Sequence, residues 1–144
     1  MKVTDVQEII RQKKGDSRRT DLYRTARLDT WLLYFPPGDV QEMHNHPSDR
    51  TYFVVTGRGI MKGPNEVHEL SPGKIISIPA FEYYEGSNPN DEPMVLLGNS
   101  NKPLREDVLK LGGQRAEIDP STGKQIVFQS GGGKGSGDPG KAVG

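Results

Sequence analysis

Two of the chain's three histidines stand one residue apart, within the stretch MHNHPSDRTYFVVTGRG over residues 43–59. On an extended strand, residues i and i+2 point to the same face, so the imidazoles of His44 and His46 can converge on one cation. Glu42 falls on that face as well and would offer a carboxylate as a further ligand. The same residues on a plain barrel strand would be a row of hydrogen-bonded polar groups, and the spacing alone leaves both readings open. Imidazole suits iron, manganese, nickel, zinc and copper alike, so a divalent metal here has no identity written in the sequence. The letters HNH are not a nuclease signature, because that motif draws on residues spread over a ββα unit.

These residues need a scaffold, and the surrounding chain reads as β-structure. The stretch DLYRTARLDTWLLYFPPG gives one or two strands ending at Pro36-Pro37-Gly38. TYFVVTG, GIMKG, EVHEL, KIISIPA and PMVLLGN follow at short spacing, parted by the turn formers GRG, GPN, SPG and NPND. Many short strands with Gly/Pro turns predict an all-β, antiparallel β-barrel or jelly roll over residues 20–100. Residues 1–19 form an N-terminal arm. There Thr4 and Gln7 make a capping-box pattern, and Val6, Ile9 and Ile10 share one face of a short helix. The basic run from Arg11 to Arg19, interrupted by Gly15 and Asp16, reads as a solvated connection. Residues 101–129 read as a helical turn in PLREDVLKLGG and a hairpin around Pro120–Gly123. Residues 130–144, SGGGKGSGDPGKAVG, have almost nothing to bury and read as a flexible tail.

Composition narrows the function classes. The chain's 144 residues suit one domain. Nineteen basic residues balance nineteen acidic ones, so no net charge draws the protein to nucleic acid or an anionic membrane. With no cysteine, disulfides and thiolate ligands are excluded. The N-terminus lacks the apolar run of a signal peptide and no segment is long and apolar enough to span a bilayer, so a soluble cytoplasmic protein is expected.

The glycine spacing around the histidines carries a resemblance. Gly38, five residues, His44-x-His46, three residues, Arg50, six residues and Gly57 resemble the first conserved motif of the cupin superfamily. Gly73, five residues, then Pro79-x-Phe81-x-x-Tyr84-x-x-x-Asn88 resemble the second. The likeness covers residues 20–100 and implies the double-stranded β-helix of a small single-domain cupin, with homodimers common. It also implies a divalent metal held by two histidines and a glutamate of the first motif and a histidine of the second. Of those positions only His44 and His46 are kept. Arg50 stands at the glutamate position and cannot ligate a cation. Tyr84 stands at the histidine position, and Phe81 at a glycine position. His68 aligns with no ligand of the family.

If Arg50 takes the inward position that the resemblance implies, Tyr52 and Val54 share its face; if Tyr84 does so, Glu82 joins it. Trp31 would wall the cavity from an adjacent strand. An interior holding His44, His46, Glu42, Arg50, Tyr52, Glu82 and Tyr84 is too polar for a plain core and calls for a pocket. Two functions follow. In a metalloenzyme of oxygenase, isomerase or lyase type, His44, His46 and Glu42 would be ligands. Arg50, Tyr52 and Trp31 would hold a small, anionic substrate, and Tyr84 and Glu82 would move protons. In a metal-free small-molecule-binding protein, Arg50 would anchor an anionic ligand directly.

Overall fold

The computed structural model describes residues 1–102 and the backbone of two further strands at 114–118 and 125–129. Along the chain come α1 (Val6–Gln12), β1 (Arg19–Arg24), β2 (Leu28–Phe35), β3 (Val40–His44), β4 (Arg50–Thr56) and β5 (Gly59–Gly63). They are followed by β6 (Glu66–Leu70), β7 (Ile75–Ile78), β8 (Tyr84–Ser87), β9 (Met94–Asn101), β10 (Gln114–Ile118) and β11 (Gln125–Gln129). One sheet runs β1-β2-β9-β4-β7 and a second runs β3-β8-β5-β6, all pairs antiparallel. β10 and β11 pair with each other, Ala116 opposite Val127. The expected helical turn after Pro103 and the glycine-rich tail lie outside the described residues.

Alternation along the strands builds one core between the two sheets. Trp31, Leu33 and Phe35 of β2, Tyr52 and Val54 of β4, and Met94 and Leu96 of β9 point inward. They meet Met61, Leu70 and Tyr84 from the second sheet. The other face of β2 is buried too, because α1 lies on it: Val6, Ile9 and Ile10 pack on Leu22, Leu32, Tyr34 and Val95. This explains why WLLYF reads as a continuous apolar run rather than an alternating one. The helix is capped one residue later than Thr4: the Asp5 carboxylate accepts from the Glu8 amide at 3.0 Å. An ionised acceptor gives the stronger cap, and the Asp5–Glu8 spacing is the same three residues. Among the described residues no helix is long and apolar enough to cross a membrane.

The motif's Asn88 is a fastener of this frame. It is fully buried, and its amide donates to the carbonyls of Phe35 (2.9 Å) and Glu92 (2.7 Å) while its oxygen accepts from the Asn90 amide (3.0 Å). Removing it takes the donor from the buried Phe35 carbonyl and from the part-buried Glu92 carbonyl. Asn88→Ala is therefore expected to cost about 2–3 kcal/mol in urea unfolding, and a loss below about 0.5 kcal/mol would refute the fastening role.

Candidate functional site

β4 carries the site's charged end. Arg50, Tyr52 and Val54 face inward as alternation requires, with Tyr52 and Val54 fully buried. The guanidinium of Arg50 donates from Nη1 to the Tyr52 hydroxyl (3.2 Å) and from Nη2 to Oγ of the buried Ser48 (3.1 Å). Its Nε is sealed from solvent and has no hydrogen-bond partner among the described residues. The Tyr52 and Tyr84 hydroxyls lie 3.1 Å apart. Tyr84 opens β8 directly opposite His44, the last residue of β3. The ring centres of His44 and Tyr84 are 4.5 Å apart, and those of His44 and His46 are 4.8 Å apart at right angles. Trp31 meets Tyr52 edge to face at 5.9 Å and takes the Arg50 guanidinium carbon at 5.5 Å. A surface cavity of about 480 Å³ reaches Arg50 between Leu28, Asp49, Ile78 and Ser100.

Six of the eight residues singled out in the sequence thus form one buried cluster: Trp31, His44, His46, Arg50, Tyr52 and Tyr84. Glu42 and Glu82 do not join it, and both are exposed. The pairing of β3 with β8 shifts register between Gln41 and His44, so the alternation counted back from His44 breaks, and Gln41 is buried in place of Glu42. Glu82 precedes β8 in an irregular segment where Phe81 takes φ 70, so strand alternation never applied to it. That segment is tied down by the Phe81 amide on the His46 carbonyl (2.7 Å) and by Asn45 Nδ2 on the Phe81 carbonyl (3.2 Å). A non-glycine residue in the left-handed region also accounts for the family's glycine at this position. Ser48 escaped the sequence reading because a loop serine carries no periodic signal.

Charge within the cluster favours a cation and neutral phenols. Burial works against the Arg50 charge, but the oxygens of Tyr84 and Tyr52 offset it, and the guanidinium is held above its ordinary value. Burial is also the main force on Tyr84, pushing its phenol well above the usual value near 10, with Tyr52 adding and Arg50 opposing. Tyr84 is then a hydroxyl donor at neutral pH rather than a phenolate. Because its folded pKa is raised, stability present below about pH 10 should fall as the pH climbs past that value. Denaturant unfolding at pH 8 and pH 10.5 should therefore show a larger loss in the parent protein than in Tyr84→Phe. Equal losses would place the titration elsewhere. On His44, Nδ1 lies 2.7 Å from the Glu42 carbonyl, which can only accept, so Nδ1 carries the proton and a neutral ring keeps its lone pair on Nε2.

Comparison with known proteins agrees with this architecture. Residues 31–98 match the family model of the cupin domain. This chain carries a cupin domain. The TT1209 protein of Thermus thermophilus has the same fold, with a TM-score of 0.62 at 21% identity over 72% of this chain and 100% of that one. KdgF of Halomonas sp. superposes with a TM-score of 0.53 at 26% identity, covering 62% of this chain and 80% of that one. Among curated proteins, gentisate 1,2-dioxygenase of Streptomyces sp. is 30% identical over 83 residues, 57% of this chain and 23% of the relative. The chain spans about a quarter of the length of the curated relatives it matches, the second being 1-hydroxy-2-naphthoate 1,2-dioxygenase of Nocardioides sp..

The metal that cupin kinship implies can be tested against the donors present. Two imidazoles come together, but among the described residues no group of three or more His, Cys, Asp or Glu side chains could hold an ion. The third donor expected from the sequence, Glu42, is turned to solvent, and Tyr84 stands where the family has a histidine. A permanently charged guanidinium sits on the same tyrosines. This donor set does not fit a divalent-metal centre.

Proposed function

We propose that the cupin domain binds a small organic anion, with Arg50 in place of a metal as the positive charge of the site. Arg50 carries this reading. Its guanidinium is part-buried, held by neutral hydroxyls rather than by a carboxylate among the described residues, and its Nε has no partner there. A buried cation without a counter-charge is costly, and an incoming carboxylate would supply the missing one. The Tyr52 and Tyr84 hydroxyls share one hydrogen bond, which leaves one O–H of the pair to donate beside it, and His44 packs against Tyr84 as a second proton-bearing group. Both curated relatives are named for carboxylate substrates, gentisate and 1-hydroxy-2-naphthoate, which agrees with an anionic ligand. A metal-dependent oxygenase, isomerase or lyase would need at least one more ligand beyond His44 and His46.

Elemental analysis separates the two. Protein purified without a histidine tag and incubated with iron, nickel and zinc is expected to retain metal well below one equivalent. Its binding of a carboxylate such as butyrate should be indifferent to chelator. One equivalent of metal that disappears in a His44→Ala/His46→Ala double variant would overturn the proposal.

A further inference from the structure

We infer that Arg19 is a second anion-binding residue of this site, and that the natural ligand carries two anionic groups. The inference rests on the reading of Arg50 as an anion anchor and extends it. Arg19 opens the edge strand β1, opposite Leu33, with Asp21 opposite Trp31. Its guanidinium carbon lies 4.4 Å from the centre of the Trp31 ring, the same ring that Arg50 approaches to 5.5 Å. Two cations on one buried indole is a concentration of like charge that folding alone does not call for.

The hydrogen bonds of the two arginines are complementary. Arg19 spends its Nε on Asp21 Oδ1 at 2.7 Å, which fixes the planar fork, and its terminal amino groups have no partner among the described residues. Arg50 spends its terminal amino groups on Tyr52 and Ser48 and keeps Nε. Asp21 cannot neutralise the pair. It is 42% exposed and is shared with Arg24 at 3.5 Å, whereas Arg50 has no carboxylate within ion-pair distance among the described residues. Trp31 is seated for this arrangement by Gly98, where even a methyl group would fall 2.6 Å from the indole Cε2. A ligand with one carboxylate on Arg50 and a second anionic group on the terminal amino groups of Arg19 satisfies both cations across the indole.

Trp31 is the chain's one tryptophan, so its fluorescence reports this site and no other. Titrations with succinate and glutarate against the matched monoacids butyrate and valerate should show the diacids binding about tenfold more tightly. In Arg19→Gln that preference should vanish, the ratio of diacid to monoacid affinity falling to about one. Arg19→Lys, which keeps the charge but not the fork, should keep part of it. If Arg19 only pins β1 onto Trp31, Arg19→Gln will lower the melting temperature and leave the diacid-to-monoacid ratio unchanged, and that result overturns the inference. Equal binding of monoacids and diacids by the parent protein would also overturn it, while leaving Arg50 as an anchor. Absence of binding by either class would overturn both.

Discussion

Replacing Arg50 with methionine should abolish carboxylate binding and at the same time make the protein more stable. The two effects have one cause. Arg50 is a part-buried charge whose described partners are neutral hydroxyls, and desolvating such a charge opposes folding. Methionine fills a similar volume beside Trp31 and Ile78 without that cost, though it gives up two hydrogen bonds to Ser48 and Tyr52. The balance should come out as a gain of about 1 kcal/mol, read as a rise of a few degrees in the melting temperature. Binding should move the other way. A carboxylate hydrogen-bonded to the guanidinium contributes enough that its loss weakens affinity by about a hundredfold, and Arg50→Lys, with the charge but not the planar guanidinium that Tyr52 and Ser48 orient, should lie between at about tenfold. Isothermal titration with succinate on the three proteins, beside their melting curves, gives both numbers. A methionine variant that is less stable by more than about 1 kcal/mol would mean that Arg50 is a structural residue. One that still binds succinate as the parent does would remove it from the site.

That trade of stability for a charge also shows what the sequence could and could not disclose. The fold was legible because its signals are local. Gly38, Gly57 and Gly73 all sit at φ between 81 and 93, and Asn88 ties a turn through its own side chain, so a backbone requirement appears directly as a residue type. The inward run Arg50, Tyr52, Val54 was legible because β4 is regular there. Glu42 and Glu82 were misplaced where regularity stops, at the register shift in β3 and in the irregular segment that holds Phe81. Arg19 was hidden for another reason. In sequence it ends a basic run of the kind that solvent usually covers, and only the pairing of β1 with β2 brings it against Trp31. The motif residues kept in this chain are chiefly those that hold the backbone. Of the three departures, Arg50 and Tyr84 are side chains that face the site, and only Phe81, at φ 70, falls on a backbone position.

Gly57 gives the sharpest test of that division, because Gly38 supplies its own control. Both glycines have φ 81, so replacing either with alanine carries the same left-handed penalty of about 1 kcal/mol. They differ in what a new Cβ would meet. At Gly38 there is nothing within 4 Å; at Gly57 the Cβ would lie 2.1 Å from the Pro93 carbonyl oxygen and 2.6 Å from Met94 Cα, both backbone atoms. A flexible side chain could swing away, but this contact cannot be relieved without moving the start of β9. β9 is the central strand of its sheet, paired to β2 on one side and to β4 on the other, so a shift there is passed to Trp31 and Arg50 together. Gly38→Ala should therefore cost about 1 kcal/mol and leave succinate binding intact. Gly57→Ala should cost more than about 3 kcal/mol, a large part of the margin by which a domain of this size stays folded. Equal unfolding midpoints for the two variants would show that the turn yields where the backbone contact says it cannot. If the costs differ as expected, the excess measures the close approach alone, since the conformational term is common to both.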